Sequence, residues 1–159
     1  MKALYRIFAL LTVALMLCAC AGVPRNSEPA GRVPVTTPDY AGVTIPSNIA
    51  PLTFAYDEGA SKYVTVFTAG DRKFVVKGKD RAVPSVKDWK KILEGASRVE
   101  VETYMKKDGS WMRFEPFYFD VAGPIDQFLS YRLIPPNFEN FEHLSLMIRD
   151  LTSYGEREF

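Results

Sequence analysis

Leu17-Cys18-Ala19-Cys20 closes the only long apolar run of this chain, and it holds the one side chain whose covalent chemistry the surrounding residues specify. Lys2 and Arg6 make a short positive region, and Ile7 to Leu17 is apolar except for Thr12. Spanning a hydrocarbon core takes roughly 20 apolar residues, so this segment reads as a removable signal rather than a transmembrane helix. Cys20 follows a small residue and has Leu17 three positions before it, whereas Cys18 follows a bulky leucine. The pattern predicts cleavage before Cys20 and acylation of that thiol, with residues 1–19 as a lipoprotein signal peptide. Several acyl chains (palmitate among them) on one cysteine give stable membrane attachment where a single chain is marginal.

No other constellation specifies chemistry to that degree. His143 is the only histidine, and a lone histidine supplies neither a triad nor a metal site. Glu100 with Glu102, or Asp120 with Asp126, could be paired carboxylates of a glycosidase, but carboxylates two apart on a strand belong on a solvated face. Beyond Cys20 there is no cysteine, which excludes disulfides, thiol nucleophiles and haem attachment in the remaining residues. No catalytic residue, metal ligand or cofactor is therefore assigned. Trp111, Phe114, Phe117, Tyr118 and Phe119 offer two readings: a platform on which sugar rings stack, or the alternating aromatics of a sandwich core. Trp111 and Tyr118 are the candidate ligand-binding residues under the first reading.

Cleavage before Cys20 leaves about 140 residues, enough for one ordinary domain. It leaves 18 basic against 19 acidic side chains, a balance that argues against nucleic acid as a partner. The aromatic residues other than Tyr5 and Phe8 lie beyond the signal and supply the means of building a core.

Six of the eleven prolines fall between Ala21 and Pro51. Repeated proline favours extended geometry without backbone donors, so residues 20–38 read as a tether. At about 3.1 Å per residue it would hold a domain several tens of ångströms from the bilayer. Asp39 to Pro46 is expected as ordered coil on the domain edge. From Leu52 the pattern alternates. Strands are predicted around 52–56, 63–68 and 73–77, the last two joined at Ala69-Gly70-Asp71. Ser85 and Asp88 read as a helix N-terminus, Trp89, Ile92 and Leu93 as its buried stripe, and Gly95 as its end. Val99, Val101, Thr103 and Met105 face one way and Glu100 and Glu102 the other, which predicts a sheet with one wet face. Asp108-Gly109 is the strongest local turn signal. Pro116 in the returning strand 111–121 argues for an edge or a bulge. Strands at 128–134 and 144–150 complete six to eight short strands with one short helix. The fold class is mainly β, an Ig-like β-sandwich over residues 39–159.

Four segments carry a resemblance: Pro38 to Leu52; Asp88-Trp89-Lys90; Pro124 to Pro136; and Arg149 to Tyr154. Together they resemble the N-terminal region of TolB-like β-propeller lipoproteins, large exported proteins of gut-type anaerobic bacteria. In those proteins a haem-attachment-like stretch and propeller blades follow, and no residue here corresponds to either. The resemblance implies only the accessory N-terminal domain, either as a truncated relative or as a domain that works alone or with a separately encoded partner.

The expectation is a non-catalytic module, anchored through Cys20 to the bacterial cell envelope, that serves as a scaffold or docking domain. Ala21 to Arg25 lack an acidic run of the kind that resembles a surface-export signal, which points to the outer membrane with the domain facing the periplasm. The alternative is a glycan-binding lipoprotein using exposed aromatics. An envelope hydrolase ranks third for want of a nucleophile set. An exposed Trp111 or Trp89 favours the glycan reading, and burial of both favours docking. An apolar face around Leu144–Leu151, Met147 and Leu151 included, would mark a partner's seat.

Overall fold

β8 (Arg98–Lys107) is the strand around which the molecule is organised in the computed structural model, which describes residues 22–134 and 144–159. It alternates as expected, with Val99, Val101, Thr103 and Met105 buried on one face. On one side it pairs antiparallel with β5 (Lys62–Ala69), which in turn pairs with β6 (Arg72–Gly78). On the other side lie β9 (Ser110–Arg113) and β10 (Phe117–Ala122), both antiparallel to it. Beyond them two short strands run parallel: β1 (Glu28–Pro29) on β9 and β3 (Thr44–Pro46) on β10. These seven strands form the main sheet.

Local chemistry sets the turns. Lys107 pairs with Ser110 across Asp108 and Gly109, which sit at φ 50° and 86°, the left-handed pair that a two-residue hairpin of this hand requires. Between β9 and β10 the chain leaves the ladder at Phe114–Pro116, where proline has no N–H to give. Arg113 pairs with Tyr104 and Phe117 with Val101, so four steps on this strand oppose three on β8. Pro116 therefore marks a bulge.

A second layer closes the inner face of the main sheet. The three-stranded sheet of β2 (Thr36–Thr37), β4 (Phe54–Tyr56) and β7 (Arg81–Ala82) packs there beside α1 (Val86–Leu93). The Ser85 hydroxyl oxygen accepts from the Asp88 N–H at 3.1 Å and caps the helix. Trp89, Ile92 and Leu93 are buried as one stripe, and Gly95 ends the helix at φ 65°. Phe54 meets Phe67 and Phe117 across the layers, and Trp89 meets Phe67 and Phe119. The fold is mainly β, a sandwich of open sheets with one short helix among the described residues, in agreement with the expected class. A third sheet of β11 (Phe128–Leu133), β12 (Ser145–Asp150) and β13 (Glu156–Glu158) is appended at one end.

Four expectations need correction. Residues 22–38 are not a free tether. Glu28–Pro29 and Thr36–Thr37 are strands of two different sheets, Pro34 and Thr36 are buried, and Arg32 grips Glu58 through two contacts of 2.6 Å. Proline suits this role at a sheet edge, where a missing donor costs nothing on the solvent side. Thr44–Pro46 is likewise a strand with Ile45 buried, not edge coil. Nor is the outer face of the main sheet uniformly wet. Val64, Val66 and Tyr104 are buried there in a second small core, with Val23, Val75 and Trp111 packed against them. The continuous run Tyr63-Val64-Thr65-Val66-Phe67 is buried on both faces, and such a run needs cover on both sides. We refer to residues 22–38 as the strap. With these short edge strands the described residues hold thirteen strands, more than the six to eight expected.

Candidate functional site

The outer face of β8, β9 and β10 carries both candidate ligand-binding aromatics. Trp111 lies opposite Lys106 and Tyr118 opposite Glu100, positions of β8 that point away from the inner core. Seven residues apart on an unbroken strand, the two would face opposite ways. The extra residue at the bulge reverses that parity and brings both rings to one side.

Neither ring is a bare platform. Trp111 is half-buried against the Val64–Val66–Tyr104 cluster, with the Lys106 ammonium 5.9 Å from its ring centre. Tyr118 is 47 % exposed, but the Arg98 guanidinium lies 4.6 Å over its ring. Arg98 in turn holds Asp120 at 2.7 Å, which keeps that carboxyl below its ordinary range. A cation stacked on each ring occupies the apolar surface a sugar would use. Trp89, the other tryptophan, is fully buried, its indole N–H donating to the Ile49 carbonyl at 3.0 Å. Phe114, Phe117 and Phe119 are buried in the inner core, as the sandwich reading had them.

The carboxylate pairs dissolve into separate roles. Glu102 accepts a 2.8 Å hydrogen bond from the Tyr104 hydroxyl and lies 4.0 Å from Arg113. Burial, with that carboxylate as the second cause, pushes the Tyr104 phenol up to about 12. Asp120 is committed to Arg98, and Asp126 stands exposed in the connection before β11. Among the described residues, no three His, Cys, Asp or Glu side chains converge as a metal site would. Cys20, residues 1–19 with their expected signal peptide, and His143 lie outside the described residues. No helix among the described residues is long and apolar enough to cross a membrane.

Two features escaped sequence reasoning. The first is an apolar cleft of about 400 Å³ where the third sheet meets the sandwich, lined by Tyr40, Leu52, Leu129, Leu151 and Tyr154, with Arg149 at its side. Tyr154 fastens the junction by donating to the Pro51 carbonyl, and the Leu151 carbonyl accepts from the Ala50 N–H while the Leu151 N–H donates to the Gln127 carbonyl. The only sequence signal was the more apolar character of Asp39 to Pro46. The second is that the third sheet, two of whose strands were expected, shows apolar side chains on both faces. Phe128 (60 % exposed) and Leu146 (57 %) lie on one, and Leu129 and Leu133 on the other. Met147 and Leu151, expected on an open apolar face, are half-buried.

No protein-family model, no curated protein and no solved structure matches this chain.

Proposed function

We propose that this chain is a non-catalytic docking module, anchored to the cell envelope by acylation of Cys20, whose third sheet is the seat of a protein partner. The observation that carries the docking reading is that one small sheet exposes four large apolar side chains, Phe128 and Leu146 on one face and Leu129 and Leu133 on the other, a density that suits an interaction surface. The resemblance to the N-terminal region of TolB-like lipoproteins makes a propeller domain the candidate occupant. The absence of an acidic run after Cys20 favours the outer membrane and a periplasm-facing domain.

The glycan reading loses support from the cations seated on Trp111 and Tyr118. The anchor is tested by fractionating cells that express the full chain or its Cys20→Ala form. The wild type is expected in the membrane fraction and the variant in the soluble one. Equal membrane retention of the two would overturn the anchor.

A further inference from the structure

The path of the strap decides which side of the domain meets the bilayer. Gly22 lies against β6, where a Cβ placed on it would be 3.4 Å from Lys77 Cε. Val23 packs on the outer cluster of Val64, Val66 and Tyr104. The chain then passes Gly109, Ser110 and Trp111 at Asn26–Glu28 and joins β9 as β1. The strap thus crosses the outer face of the main sheet from one edge to the other. Cys20 is two residues before Gly22, and two residues of fully extended chain reach only about 7 Å.

We propose that the outer face of the main sheet, at the end marked by Lys62, Lys77, Lys106 and Trp111, rests directly on the phospholipid headgroups. The proposal rests on acylation of Cys20. With the strap folded down there is no spacer, so acyl chains on Cys20 enter the bilayer beside Lys77. Lys62 lies opposite Lys106, Lys106 opposite Trp111, and Lys77 opposite Val64, so three ammonium groups and one indole share a single end of the face. Among the described residues, none of these lysines is committed to an ion pair. Lysines on flexible stems suit phosphate headgroups, and a half-buried indole suits the interface between water and acyl chains. Charge alone would not choose this face, because α1 carries exposed Lys87, Lys90 and Lys91 on the opposite layer. The point where the strap begins makes the choice.

The test uses the acylated full-length mature protein in phosphatidylethanolamine–phosphatidylglycerol vesicles doped with a doxyl-labelled lipid. No cysteine follows Cys20, so Lys62→Cys, Lys77→Cys and Lys87→Cys each take a single fluorophore. Quenching is expected to be several-fold stronger at positions 62 and 77 than at 87. Equal quenching at all three, or stronger quenching at 87, in a protein whose mass shows an acylated Cys20 would overturn this inference and leave the anchor standing. A mass showing an unmodified Cys20 would overturn both. Val23→Asp, which unseats the strap, is expected to abolish the difference while the protein stays on the vesicles. A difference that survives Val23→Asp would overturn the role given to the strap.

Discussion

Trp89 is the side chain on which the inner layer turns. Its indole is fully buried, touches Phe67 edge-on and Phe119 at a tilt, and satisfies its one N–H on Ile49. Trp89→Ala removes packing from helix and sheet together, and truncating a buried aromatic of this kind costs about 3–5 kcal/mol. Chemical denaturation of the variant is expected to show that loss, or no cooperative transition at all. Lys90→Ala, on the exposed side of the same helix, is expected to leave the midpoint within error. An unchanged Trp89→Ala midpoint would contradict the packing described. This residue was legible in the sequence because its i, i+3, i+4 partners fix one helix face. The common side of Trp111 and Tyr118 was not legible. It depends on a single extra residue at the Phe114–Pro116 bulge, and the proline announced the irregularity without saying how many residues it would absorb.

At the scale of elements, regular strands and tight turns could be read and short edge strands could not. β5, β6 and β8 declare themselves through alternation and β-branched residues, and Asp108-Gly109 through a backbone geometry that few residue pairs tolerate cheaply. β1 and β2 are two residues each and are held by backbone pairing, which leaves no periodic trace in side chains. Glu58 fastens the segment between them. It holds Arg32 through two short contacts and accepts from the Val35 N–H at 3.1 Å. The hydrogen bond from Arg32 is the largest cause holding the Glu58 carboxyl below its ordinary value of 4.5. A carboxyl depressed in the folded state contributes stability above its unfolded value and loses it as pH falls through the folded one. Thermal stability is therefore expected to drop as pH falls below 4.5 and through the lower folded-state value, with backbone amides of the strap exchanging faster first. Glu58→Gln is expected to cost about 1 kcal/mol at pH 7 and to flatten this part of the pH profile. A variant with the wild-type profile would show that the clasp does not hold the strap.

On the scale of the whole molecule, a closed sandwich and an open appendage lie side by side. The sandwich buries its aromatics between two layers, whereas β11–β13 leaves Phe128, Leu129, Leu133 and Leu146 exposed. The exposed set predicts concentration-dependent self-association of the mature protein, visible by sedimentation velocity. Leu133→Lys combined with Leu146→Lys, one charge on each face, is expected to return it to a monomer without lowering the sandwich's melting temperature. A wild-type protein that stays monomeric at high concentration would argue against a docking sheet.

The layout also fixes the order in which the molecule is able to assemble. Asn48 finds its partner Ile125 at a separation of 77 positions, and Thr53 meets Tyr154 across 101. The strap waits for Met112 and Arg113 before β1 has anything to pair with. A chain emerging from its N-terminus thus carries its earliest segment unpaired until most of the rest has appeared, and pairings this remote are slow to form. Through that interval Val64 and Val66 stand without the cover that Val23 later gives them. A β-branched run open on one side is prone to pair with its like in another molecule. The strap that completes the outer core is therefore also what ends the chain's most aggregation-prone stage.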